Sequence, residues 1–266
     1  QCKTLVFRCL AVTDAQSFLD SFVNTLSAPD VASGSQTDGN NVTTSGLQAE
    51  SAVKGRHAVN LAHRDADLGG ADLYGVDLSE ADITGAIIKW TNLQTANLEK
   101  SILMGANLEG VNLQDATLTS AILKNAILWY ADLKRANFFR ANLENASINY
   151  AELQSANFCE ANLKNTFFLQ TDLQKTNFQS ANLQRSNLRC ANLQGANLKK
   201  SNLQGANFQG ANLREVNFEE SIFRNVTIDK NKVSGLPFII LKNDCFNNKN
   251  IINHEKIHSI DPNSGN

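Results

Sequence analysis

The sequence predicts a narrow solenoid, a chain that turns once in every pentad and points the same two positions inward at each turn. Three observations predict it. The first is a period of five from Ala66 to Lys230, with 33 consecutive pentads and no insertion or deletion. The second is the content of two positions. The third residue of each pentad is apolar in all 33 (22 Leu, 7 Phe, 4 Ile), and the first is small in all 33 (21 Ala, with Val, Thr and Ser four times each). The third is the freedom of the fourth and fifth positions, which carry nearly all the Lys, Arg, Glu and Gln. A helix would rotate the apolar position by about 140° per pentad and smear it around the cylinder. A strand of period two would bring it to alternate faces.

The second position is Asn 17 times and Asp six times. Tandem Ala-(Asn/Asp)-Leu-x-x running unbroken from Ala66 to Lys230 resembles the pentapeptide-repeat family. The resemblance implies an all-β fold, a right-handed quadrilateral β-helix in which four pentads make a coil and the third residue fills the interior. About eight coils are then expected, stacked at roughly 4.8 Å into a rod about 40 Å long. Two series support a coil of four pentads: Phe138, Phe158, Phe178 and Phe218 at the third position, broken only by Leu198, and Gln94, Gln114, Lys134, Gln154, Gln174 and Gln194 at the fourth. Rings would nest between coils, and the Gln column would form an amide ladder.

Three regions are expected. Residues 1–58 form an N-terminal flank, 59–230 the β-helix, and 231–266 a C-terminal cap and Asn-rich tail. In the flank, Phe18, Leu19, Phe22, Val23 and Leu26 share one face of a short helix over Asp14–Leu26, with Thr13 or Asp14 as N-cap. Residues 28–50 have the Ser, Gly, Thr and Asn content of a disordered linker. Val59-Asn60-Leu61-Ala62-His63 is an out-of-phase pentad that begins the first coil, and Leu236–Leu241 closes the open end.

Composition narrows the function classes. Net charge is −2 and the pI about 6.1, so no basic field favours nucleic acid or an anionic membrane. The longest uncharged apolar run, Leu236 to Leu241, is far too short to span a bilayer. Cys2, Cys9, Cys159, Cys190 and Cys245 are scattered without a CxxC pair, which suggests free thiols. Arg8 interrupts the one apolar stretch near the start, so no signal peptide is expected in what remains, and the expected compartment is the cytoplasm, in a bacterium. The alternative is an exported or lumenal protein after removal of an N-terminal signal.

No catalytic constellation is expected, and neither a cofactor nor a metal. His254-Glu255-Lys256-Ile257-His258 spells H-E-x-x-H, yet catalytic zinc needs a third ligand and a walled cleft, and little chain follows. An active site would break the repeat locally, and nothing between Ala66 and Lys230 does so.

The informative departures are outward positions that are apolar. Counting pentads modulo four places Ile87, Ile127 and Phe167 on one face with Trp90, Trp129, Tyr130, Tyr150 and Leu169. Five of the seven aromatics outside the interior position fall there, while Tyr74 and Phe139 do not. Ile102, Ile122 and Met104 lie on the adjoining face. Contiguous exposed aromatic area marks an interface, unless the flank folds back over it. The expected function is therefore a non-catalytic scaffold that presents this stripe to a protein partner, with a homodimer through the C-terminal cap as a further expectation. Two alternatives stay open. One is a DNA mimic that binds gyrase or a topoisomerase, as the family's quinolone-resistance members imply. Eight acids against two bases from Ala66 to Asp115 favour it, and nine acids against thirteen bases from Ala116 to Lys230 oppose it. The other is a secreted bacterial effector built on a β-helical scaffold.

Overall fold

The computed structural model describes residues 64–229. Each pentad ends in a tight corner. The third-position carbonyl accepts from the first N–H of the next pentad, as Phe138 does from Ala141 (3.0 Å) and Leu68 from Ala71 (3.1 Å). Between them the fifth residue adopts a left-handed φ at every corner from Asp65 to Asn225, within 52–76°. A positive φ at the third of four turn residues alone is the sign pattern of a type II turn. Only eight of these 33 corner residues are Gly. The other 25 accept a conformation that costs roughly 1–2 kcal/mol each in isolation.

Pairing with the next coil offsets that cost. Third- and fifth-position N–H groups donate forward to a carbonyl of the following coil (Leu143 to Asn162, 2.8 Å; Trp90 to Glu109, 2.9 Å). Second-position N–H groups donate backward to a carbonyl of the preceding coil, as Asn142 does to Ala121 (2.8 Å). Among the described residues 29 parallel bridges join second positions four pentads apart, from Asp67↔Ile87 to Asn207↔Thr227. Four pentads therefore make one coil. Coil 1 is 66–85, coil 8 is 206–225, and residues 226–229 open a ninth. Face 1 holds the pentads starting at 66, 86, 106 and onward by twenties; faces 2, 3 and 4 start at 71, 76 and 81.

Side chains follow the same vertical order. Asn at the second position closes its own turn and reaches one coil back. Asn142 Oδ1 accepts from the Glu144 N–H (3.2 Å) while Asn162 Nδ2 donates to Asn142 Oδ1 (3.1 Å). The fourth-position Gln column behaves differently from the expected amide ladder. Gln114 Nε2 donates to Asp132 Oδ2 (2.6 Å) and Gln154 Nε2 to Asp172 Oδ2 (2.8 Å). A carboxylate two positions earlier in the next coil lies within reach and is the stronger acceptor.

The core is the interior filled by first and third positions, with Leu143 and Phe158 fully buried. On face 3, Phe138, Phe158 and Phe178 stack at 4.6 and 5.4 Å with interplanar angles of 4° and 11°. Buried hydroxyls at first positions find carbonyls, as Thr166 Oγ1 does at Leu143 (2.9 Å). The expected helix over 14–26, the linker, the pentad at 59–63, the segment 236–241 and the His254/His258 pair lie outside the described residues. Among the described residues no helix is long and apolar enough to cross a membrane.

Candidate protein-interaction face

Face 1 departs from the repeat at three positions at once. Its fifth-position column runs Trp90, Gly110, Tyr130, Tyr150, Gln170. The corners share a left-handed φ, and Trp90 and Tyr130 each meet the corner residue of the next coil. Trp90 lies against Gly110, where an added Cβ would collide with the six-membered part of the indole. Tyr130 and Tyr150 stack at 5.2 Å and 13°. The column is an external counterpart of the Phe stack inside.

Trp129, at the fourth position, is oriented by a polar network. Its Nε1 donates to Ser147 Oγ (2.5 Å), which also accepts from Asn149 Nδ2 (3.0 Å), while Asn149 Oδ1 accepts the Leu169 N–H (2.9 Å). In the second-position column apolar and polar residues alternate by coil: Ile87, Asn107, Ile127, Ser147, Phe167, Asn187.

The structure brings all eight predicted residues together on face 1, across coils 2 to 6. Trp90 (62% exposed), Tyr130, Phe167, Ile87, Trp129 and Tyr150 (40%) are open to solvent. Ile127 and Leu169 are half-buried and offer less area. Phe139, off the stripe, carries the Arg140 guanidinium over its ring at 4.8 Å. Tyr74 is exposed on face 2. Ile102 and Ile122 bridge one another on face 4 and are half-buried, with Met104 exposed beside them.

Sequence reasoning missed Gly110, Ser147 and Asn149. Each carried a signal once four pentads are known to make a coil. Gly110 stands one coil after Trp90, and Ser147 interrupts the Asn/Asp second position one coil after Ile127.

Charge along the rod is paired between coils: Lys89 with Glu109 (2.8 Å) on face 1, Lys124 with Glu144 (3.1 Å) on face 4 and Arg140 with Glu160 (2.7 Å) on face 3. The Glu152 carboxylate, then Asp132, hold the Lys134 ammonium above its usual range. The hydrogen bond from Arg135 (2.6 Å) holds the Asp115 carboxyl below its own. Cys159 and Cys190 are free thiols; burial, then Glu160, pushes the Cys159 thiol up. Among the described residues no group of three or more His, Cys, Asp or Glu side chains is placed to hold a metal ion.

The pentapeptide-repeats family matches this sequence in eight copies, over residues 64–99, 101–138, 136–168, 151–189 and 191–228. No curated protein matches it as a relative. Among solved structures it is similar to a trypsin-treated variant of QnrB1, a plasmid-mediated fluoroquinolone resistance protein. Identity is 19% over 65% of this chain and 94% of that one, with a TM-score of 0.52. HetL, involved in heterocyst differentiation regulation in the cyanobacterium Nostoc sp. strain PCC 7120, is 26% identical over 61% of this chain and 87% of its own, with a TM-score of 0.30. A thylakoid-lumen pentapeptide repeat protein of Arabidopsis thaliana is 24% identical over 46% and 70%, with a TM-score of 0.22. The chain belongs to the pentapeptide-repeat family, and its fold is the right-handed quadrilateral β-helix of that family.

Proposed function

We propose that this pentapeptide-repeat protein is a non-catalytic scaffold whose face 1 docks a protein partner. The observation that carries the reading is the ordered aromatic cluster at coils 4 and 5. Tyr130 and Tyr150 are stacked, Trp129 is tied to Ser147, and all three remain open to solvent. Exposed rings already fixed in one rotamer lose little entropy on association, and Trp and Tyr lead the residues that dominate binding energy. Repeat architecture supports the non-catalytic part. The outward Asn and Asp side chains close turns and join coils, so they are engaged as structure.

A second reading, a DNA mimic, draws on the charge of the first coils, where Asp67, Asp72, Asp77 and Asp82 occupy the second position of all four faces. A mimic needs that sign along its length, and bases outnumber acids from Ala116 onward.

The test is Trp129→Ala with Tyr130→Ala, measured against the partner that wild-type protein captures. Affinity should fall by at least ~2 kcal/mol, or about 30-fold, with the fold intact and stability lowered by no more than about 1 kcal/mol. Binding at wild-type strength would overturn the reading. Binding unaffected by the double substitution but abolished by salt would favour the mimic.

A further inference from the structure

Face 1 carries a pattern that docking alone does not require: its second positions read alike in both directions along the rod. From Ile127 on coil 4, they are polar one coil away (Asn107, Ser147), apolar two coils away (Ile87, Phe167) and polar three coils away (Asp67, Asn187). Faces 2 and 3 are polar at every second position among the described residues, and face 4 sets Ile102 and Ile122 on successive coils without this alternation. We infer that the partner of face 1 is a second copy of this chain, bound face to face with the rods antiparallel and the two-fold axis crossing coil 4. The inference rests on the reading of face 1 as a docking surface and names its occupant.

An isologous contact uses the same patch on both subunits, and that condition selects the geometry. A two-fold axis lying in the interface, across the rods, lays each column against itself in reverse. Coil 4 then meets coil 4, coil 3 meets coil 5, coil 2 meets coil 6 and coil 1 meets coil 7. Apolar positions meet apolar ones, Ile87 over Phe167 and Ile127 over its own copy, while Asn107 meets Ser147. Tyr150 comes over coil 3, where the Trp90 indole lies against Gly110.

Charge selects the same direction. Asp67 stands at one end of the stripe and Arg189 at the other. Arg189 is exposed and in no ion pair among the described residues. Antiparallel rods bring Asp67 and Arg189 to each other at both ends of the contact. Parallel rods would set the Arg189 coils against each other, and likewise the Asp67 coils.

The area suffices. At roughly 200 Å² per aromatic side chain, the five open rings of face 1, between 40% and 62% exposed, offer on the order of 500 Å² per copy. The pair removes about 1,000 Å² from water before its polar rim is counted, the size at which specific interfaces begin.

Sedimentation velocity of the full-length protein from about 0.5 to about 50 µM tests the pairing, with circular dichroism melts of each variant as the check on folding. Wild type should dimerise within that range. Trp129→Ala/Tyr130→Ala should weaken the dimer at least ~100-fold, because each ring is lost on both sides. Asp67→Lys alone and Arg189→Glu alone should each weaken it about tenfold, and the two together should return it to within about threefold of wild type. If Asp67→Lys, which loses the bond from the Gly69 N–H (3.0 Å), does not fold, Asp67→Asn keeps an acceptor there and should tighten the Arg189→Glu dimer about threefold. A wild-type monomer at about 50 µM overturns the inference. So does a dimer that Trp129→Ala/Tyr130→Ala leaves intact, which would place the contact elsewhere on the chain, and so do charge variants whose losses add instead of cancelling. The two readings fail separately. If wild type is monomeric and Trp129→Ala/Tyr130→Ala still loses a captured partner of another sequence, only self-pairing falls. If that variant keeps both the dimer and every captured partner, the docking face falls as well.

Discussion

Two ring stacks run along this rod under the same four-pentad rule, one inside and one outside. Phe138, Phe158 and Phe178 stack at third positions of face 3 and are fully buried. Tyr130 and Tyr150 stack at fifth positions of face 1 with 55% and 40% of their surface open. The coil spacing brings like residues into register on both sides of the wall, so stacking by itself is a consequence of the fold. What separates the stacks is what surrounds them. The interior stack removes its rings from water and serves stability; the exterior one leaves apolar area in water and gains little stability from it. An uncompensated exposed stack is the feature that points to a partner.

The comparison breaks most sharply at the wall itself. Leu143→Asp puts a carboxylate in the closed interior, where Leu143 has no exposed surface, and should cost more than ~4 kcal/mol. Glu144→Lys, one residue on and outside, exchanges pairing with Lys124 (3.1 Å) and Lys164 (3.9 Å) for three stacked like charges. It should cost within ~1 kcal/mol, less in salt. Thermal melts that coincide would show that the third position does not face inward.

Between the stacks, Phe158→Ala should lose ~3–5 kcal/mol. Tyr150→Ala should lose within about 1 kcal/mol, the worth of a partly exposed ring pair. Equal losses in denaturant midpoint would mean that the outer stack supports the fold, and the case for an interface would weaken.

Two corner glycines sharpen the outer column. Gly105 and Gly110 share a φ of 65°, but a Cβ at Gly105 meets nothing within 4 Å while one at Gly110 collides with the Trp90 ring. Both Ala variants should lose about 1 kcal/mol for the left-handed corner. Only Gly110→Ala should also move Trp90, seen as a shift in tryptophan emission; an unchanged spectrum would remove Trp90 from the ordered column.

The smallest effect is electrostatic. Asp115 is depressed by the Arg135 hydrogen bond, and Asp82 chiefly by the Thr84 hydroxyl. A depressed carboxyl contributes stability that is present above its unfolded value near ~3.9 and is lost as pH falls through its folded value. Arg135→Gln should therefore lower stability slightly at neutral pH, converge with wild type in strong acid where Asp115 is protonated, and so flatten the acid limb of the stability curve below pH ~4. Both carboxyls lie at the surface, so salt should reduce the difference.

The sequence by itself determined the repeat and the inward positions, which follow from a period with no insertion. The coil of four pentads is what the family resemblance implies, and with it counting is enough to assign the membership of face 1. The Phe column on face 3 was legible for the same reason. What lies between coils was decided only in three dimensions. Gln154 points to Asp172 instead of another amide because the nearest acceptor lies in the next coil, across a corner. The Ser147 hydroxyl orients Trp129 across the same interval. Residue type also conceals the left-handed corner, since 25 of the positions that adopt it are not glycine. Backbone pairing with the neighbouring coils imposes that conformation, so the residue's own preference is overruled. A one-dimensional period specifies which positions repeat, and the lateral contact of one coil on the next specifies what each side chain touches.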